Sequence, residues 1–169
     1  MWLFQGVGNI NMFLTLFNQR LNDQFIQEWN ENLNNSTRAD TYRLFATFSF
    51  KQYLDQINIK KFRTALTRLR VSSHRLEVET GRWHKPNKIP KHERKCQLCK
   101  SLEDEFHFII ECPLYHDFRE LLINKYFWRR PNILKFIELM QSENVKIMRN
   151  LSIFLFKSFK KRNETYYFP

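Results

Sequence analysis

All three cysteines of the chain fall between positions 96 and 112, together with one of its five histidines. Cys96, Cys99, His107 and Cys112 are spaced C-x2-C-x7-H-x4-C. Thiolate sulfur and neutral imidazole nitrogen are donors that zinc favours, and three of the first with one of the second form a closed tetrahedral set. Two cysteines separated by two residues suit a tight turn that aims both sulfurs at one point. His107 and Cys112 would close the site from the far side. Three cysteines could instead be small core residues, or a disulfide with a spare thiol. The setting argues against the first: Arg94, Lys95 and Lys100 lie on one side, Glu103, Asp104 and Glu105 on the other. An odd cysteine count and the lack of an export signal argue against the second. The expectation is one structural zinc ion. A closed set leaves no position for water, so the ion should not be catalytic.

The spacing sets a geometric problem. His107 and Cys112 are five residues apart, about 500 degrees around an ideal α-helix, so on a straight helix they face different ways. Pro113 disfavours helical geometry at Cys112 and suits the first position of a new helix. A break there would let both side chains reach one ion. Ser101-Leu102-Glu103-Asp104 resembles a capping box, with Asp in place of the usual Glu or Gln. His84 and His92 read as exposed side chains. His116, one helical turn past Cys112, is the stronger rival to His107.

The ligand pattern and its flanks resemble the cysteine-histidine (CCHC) zinc motif near the C-terminus of reverse transcriptases from non-LTR (LINE-type) retrotransposons. The run Ser73-His74-Arg75-Leu76-Glu77-Val78-Glu79-Thr80-Gly81-Arg82-Trp83 looks like the segment before that motif. Glu103-Asp104-Glu105-Phe106-His107-Phe108 and Glu111-Cys112-Pro113-Leu114-Tyr115, with Arg119, look like its core and the segment after it. The resemblance covers about residues 42–125. It implies a zinc-containing module that grips template RNA or target DNA beside a polymerase. The polymerase itself is missing: the family's site needs adjacent aspartates, and Asp23, Asp40, Asp55, Asp104 and Asp117 form no cluster for metal-assisted phosphoryl transfer. The family's endonuclease domain is missing too. The expectation is a non-enzymatic part or remnant of such a polyprotein, with no small-molecule substrate.

The charge pattern agrees with a nucleic-acid partner. The net charge is +11, and residues 60–100 hold thirteen Lys or Arg against three acids. Such a concentration is an electrostatic footprint for phosphate. Lys60, Lys61, Arg63, Arg68, Arg70, Arg75, Arg82, Lys85 and Lys88 are the candidate phosphate contacts. Trp83 is either a stacking platform for an unpaired base or a core anchor. A solvated surface is the plainer reading of the charge. A protein-interaction module braced by zinc, or a nonfunctional retrotransposon fragment, would carry the same motif.

The elements that must position these residues read as mostly α: a helical domain with a small zinc-knuckle insertion and short irregular or extended segments. Three glycines in the whole chain suit helices better than tight hairpins. Residues 1–40 hold an N-terminal amphipathic helix, 41–125 the basic region and zinc module, and 126–169 a C-terminal helical extension. Apolar steps of three and four mark a helix over 10–33, stopped by Asn34-Asn35-Ser36. Residues 41–50 are extended or enter a helix. Asn58 is a plausible cap for a helix whose apolar face carries Phe62, Leu66 and Leu69. Gly81 suggests a turn with an unusual backbone angle. Further helices are expected over 114–127, from Pro131, and from about Asn144. The last ends in Lys160-Lys161-Arg162, cations that complement a helix C-terminus. The apolar start, residues 1–8, is too short for a signal peptide. No run approaches the roughly 20 apolar residues of a membrane helix. These features point to a chain of the cytoplasm or nucleus, where thiols stay reduced.

Overall fold

The computed structural model describes residues 9–167; the apolar start over 1–8 lies outside them. Among the described residues, those up to Thr37 form one compact unit and those from Arg38 a second. The first unit is helix α1 (Ile10–Asn35). Asn9 caps it by accepting the Met12 N–H, and Ser36, in extended geometry, ends it. Phe13 and Phe17, one turn apart, stack with ring centroids 6.2 Å apart.

The second unit is built from α2 (Tyr53–Gln56), α3 (Lys60–Arg70), α4 (Glu77–Thr80), α5 (His116–Leu122), α6 (Lys125–Trp128), α7 (Ile133–Gln141) and α8 (Val145–Tyr167). Among the described residues there is no sheet, only one antiparallel bridge between Lys95 and Leu102. None of the described helices is long and apolar enough to cross a membrane. Residues 41–50 resolve the open choice with a 3-10 turn, Tyr42–Leu44.

Helix α8 is the axis of this unit and packs on α2, α3 and α5. Met148, Leu151, Leu155, Ser158 and Arg162 run in steps of three and four along one side, and all are buried. Leu66 and Leu69 of α3, Phe136 and Leu139 of α7, and Phe108 and Ile109 of the cysteine-rich loop fill the core with them. Small Ser152 and Ser158 lie in the same interior.

Arg162 is therefore a core residue, not a terminal surface cation. α8 continues past it to Tyr167. Its guanidinium grips Glu103 with two hydrogen bonds, Nε to Oε1 at 2.9 Å and Nη2 to Oε2 at 2.6 Å. Nη2 also reaches Glu77 Oε1 at 3.3 Å. Arg70 departs from expectation in the same way. It is buried, donates to the Met140 carbonyl, and lies over the Phe45 and Tyr53 rings at 5.0 and 5.3 Å. It belongs to the core and is no phosphate contact.

Other local expectations change too. Asn58 is not the cap of α3; Ile59 holds that position, without a side-chain bond. Gly81 has ordinary right-handed helical angles, φ −62° and ψ −19°. Its role is space, because a Cβ there would meet the Arg94 side chain at 2.7 Å. The helix expected over 114–127 is two, α5 and α6. Ile123 is extended, and Asn124 caps the second by accepting the Tyr126 N–H. The C-terminal residues from 126 contribute α7 and the whole of the central helix α8.

A second buried carboxylate ties the stretch before α4 to the loop. Glu105 accepts hydrogen bonds from Thr41 Oγ1 at 2.7 Å, Ser72 Oγ at 3.1 Å and His74 Nε2 at 2.8 Å. Burial alone would push Glu105 up. The bond and charge of His74, with Thr41, instead hold it below the ordinary carboxylate value.

Both buried carboxylates can be tested by substitution. Arg162→Met should cost about 3–5 kcal/mol, because it leaves the Glu103 carboxylate buried without its cation. Arg149→Met, exposed on the same helix, should stay within about 0.5 kcal/mol. Urea unfolding compares them, and equal losses would show that the clamp does not hold the fold. Glu105 has a depressed folded-state value, so its contribution is present above the unfolded carboxylate pKa of about 4.3 and fades as pH falls through the folded one. Glu105→Gln should therefore flatten the acid limb of the stability–pH curve relative to wild type.

Candidate metal centre

The C-x2-C segment turns tightly because its backbone closes on itself. The Lys100 N–H reaches the Cys96 carbonyl at 3.0 Å, and the Cys96 N–H reaches the Ser101 carbonyl at 2.8 Å. Lys100 adopts the left-handed region, φ 62°, directly after the second cysteine. An L-residue there carries a strain of roughly 1–2 kcal/mol. One turn then sets His107. Asp104, rather than Ser101, caps it by accepting the His107 N–H on Oδ1 at 2.8 Å.

The five-residue problem is solved by a π-helical turn, His107–Glu111. The Cys112 N–H bonds to the His107 carbonyl at 2.8 Å. An i→i+5 turn is wider than an α-turn, so residues five apart come to one side. The break at Pro113, which opens a 3-10 turn into α5, completes the reversal. Buried Arg119 secures the end of the turn, with Nε on the Ile109 carbonyl at 2.7 Å and Nη2 on the Cys112 carbonyl at 2.8 Å.

These constraints bring one donor atom from each of Cys96, Cys99, His107 and Cys112 within 4.8 Å of one another. Cys96, His107 and Cys112 are buried, and Cys99 is half-buried. Cys96 Sγ and Cys112 Sγ are 4.0 Å apart; Cys99 Sγ and His107 Nε2 are 3.1 Å apart. A tetrahedral ion with bonds of about 2.3 Å to sulfur and 2.0 Å to nitrogen has edges of about 3.5–3.8 Å. The group fits one metal ion in size and donor type. No disulfide joins the cysteines.

The surroundings prepare the donors. His107 Nδ1 faces Glu111 Oε2 at 3.4 Å. A proton held on Nδ1 leaves the Nε2 lone pair for a metal, the arrangement that orients most ligand histidines. The Tyr166 hydroxyl of α8 lies 3.2 Å from Cys96 Sγ. Burial, then Cys96 itself, pushes Tyr166 up, so it keeps its proton and donates. The bond shared with Cys112 pulls Cys96 down, His107 and Tyr166 adding to it, and pushes Cys112 up. His84, His92 and His116 are exposed and stand outside the group. Tyr166 carries no mark in the sequence pattern, although it lies one helical turn beyond Arg162 on the buried side.

The basic candidates divide. Lys60, Lys61, Arg68, Arg75 and Trp83 line one groove of about 1140 Å³, walled by α3, the α4 segment and α8. Arg38 and Lys160 join them. Trp83 is 66% exposed, so it is no core anchor. Arg63 donates to the Leu54 carbonyl, and Arg82 pairs with Glu79 at 3.1 Å. Lys85 and Lys88 are exposed beyond Trp83, outside the groove lining.

No family model matches the chain, and neither a curated protein nor a solved structure matches it.

His107→Ala should abolish tight metal binding, and His116→Ala should leave it unchanged. Tyr166→Phe should keep the fold but weaken metal binding about tenfold or more, the usual cost of losing an outer-shell bond. Titration against a chromophoric chelator reads all three. A His116→Ala protein that loses the metal while His107→Ala keeps it would displace this ligand set.

Proposed function

We propose that the chain is a nucleic-acid-binding module braced by one structural zinc ion, of the kind that the resembled retrotransposon reverse transcriptases carry near their C-terminus. The observation that carries this reading is the groove. It gathers six cations from four segments around an exposed indole, on one face of the unit braced by the four-donor centre. Cations that converge on an open channel suit a phosphate backbone, and an aromatic face inside it suits a base. No catalytic role is assigned to the ion, because four protein donors complete its tetrahedron.

The centre and the groove are connected through the backbone. Glu103, between Cys99 and His107, accepts the Glu77 N–H on its carboxylate and the Val78 N–H on its carbonyl. It therefore holds the first turn of α4, and α4 leads directly to Trp83. An ion that fixes the loop also fixes one wall of the groove.

Replacing Lys60, Lys61 and Arg68 together by Gln should weaken binding of single-stranded RNA or DNA. It should lower the slope of log affinity against log salt by about 2, at about 0.7 per lost phosphate contact. Fluorescence anisotropy at several salt concentrations measures both. Metal removal should weaken binding by loosening the loop and the groove wall it holds. Leu121 and Leu134, 71% and 73% exposed, favour a second reading as a protein-interaction surface. Binding that is apolar and indifferent to salt would select it over the first.

A further inference from the structure

Among the cations of the groove sits one carboxylate. Glu79 lines the same groove as Trp83 and lies one helical turn before it. It is only 4% exposed. Its Oε1 faces Arg82 Nε at 3.1 Å. Its Oε2 is buried and has no hydrogen-bond partner; Arg38 Nε forms a longer ion pair with it at 3.6 Å. Burial pushes Glu79 up from its ordinary value despite the opposing charges of Arg82, His74 and Arg38. The carboxylate is short of donors. Arg38 links it to the indole, with its guanidinium 5.9 Å from the Trp83 ring centroid and its side chain half exposed.

A base that stacks on Trp83 would present its edge toward this carboxylate. An ionised carboxylate only accepts hydrogen bonds, so the edge must donate. Uracil offers N3–H between two carbonyl oxygens that would repel it. Adenine and cytosine offer one amino group beside a ring-nitrogen acceptor. Guanine alone carries two adjacent donors, N1–H and the N2 amino group. Paired N–H donors on one carboxylate form the strong, directional arrangement. Both guanine donors are used up in a Watson–Crick pair, so only an unpaired guanine can offer them.

We propose that the groove holds a guanine-reading pocket for single-stranded nucleic acid, with Trp83 as the stacking platform and Glu79 as the acceptor of N1–H and N2–H. This rests on the reading of the groove as a nucleic-acid surface. On entry of the base, the Arg38 guanidinium leaves the indole and lies on the other face of the guanine. The surrounding lysines and arginines hold the phosphates without regard to sequence.

The test uses the full metal-loaded chain and fluorescein-labelled ten-nucleotide oligouridylates, with one central residue varied among U, A, C and G. Wild type should bind the guanine strand about tenfold more tightly than the other three. Glu79→Gln should remove that preference while keeping salt-dependent binding of the all-uridine strand. Should Glu79→Gln fail to fold, Trp83→Ala at its exposed position still reports: it should lose about tenfold for the guanine strand. Free GMP should not displace the strand at equal concentration. GMP that competes as an equal would overturn the strand-borne ligand in favour of a free nucleotide. Equal wild-type affinity for all four strands, with salt dependence intact, would overturn the pocket and leave the groove standing. Binding of none of the four would overturn the groove as well.

Discussion

The fold turns on two charges buried together, the Arg162 guanidinium and the Glu103 carboxylate. Each side chain is 1% exposed. Buried ion pairs seldom add net stability over well-packed apolar residues. What this pair provides is position. Arg162 ends the buried stripe of α8, and Glu103 belongs to the loop that carries the four donors. Glu77, the third partner, opens α4. One guanidinium therefore fixes three segments far apart in sequence, and a shift of any of them would strand a charge in the core.

The four-donor group is fastened from the same helix. Tyr166, one turn after Arg162, places its hydroxyl on Cys96, and the Arg162 guanidinium lies over the Tyr166 ring at 4.7 Å. Phe159 of α8 stacks on Phe108, the neighbour of His107, at 4.7 Å. The loop is thus held on two sides before any ion enters. A preorganised site lets metal binding act on the loop's remaining freedom rather than on the whole fold. The open side of the loop is left to the half-buried Cys99.

The four donors are legible in the sequence because the restriction is chemical: few residue types bind zinc, and their spacing is limited by chain reach. The π-turn that brings His107 and Cys112 together is not. An i→i+5 bond leaves no mark on local propensity, and only the five-residue interval hints that an ordinary helix would fail. Arg70 and Arg162 depart from expectation for a shared reason. Composition alone reads an arginine as surface, yet the three-and-four stepping of 148, 151, 155, 158 and 162 already places Arg162 on the buried side. Arg70 comes directly after Leu69 at the end of a short helix, where periodicity is weakest and Met140 of α7, Phe45 and Tyr53 of α2 decide its fate. Gly81 shows the limit of residue-type rules. Its missing Cβ makes room for Arg94, a neighbour thirteen residues away that no local pattern announces. For Trp83 the sequence leaves platform and anchor open, since an indole serves both and only its surroundings choose.

Glu79 raises the last physical question, why an acid sits among cations that suit phosphate. Taken as a phosphate surface, the groove is weakened by it, because a negative charge opposes the backbone of any strand. Phosphate contacts carry no sequence information, however, and a groove lined only with cations would hold every strand alike. Arg82 and Arg38 pair with this carboxylate and offset its charge toward the outside. Its effect is felt by whatever lies directly against it and little by phosphates farther along. On the proposed reading of the groove, one acid a helical turn from an exposed indole would subtract little from general affinity and add a term that differs between bases. Difference, rather than strength, is what such a residue can supply.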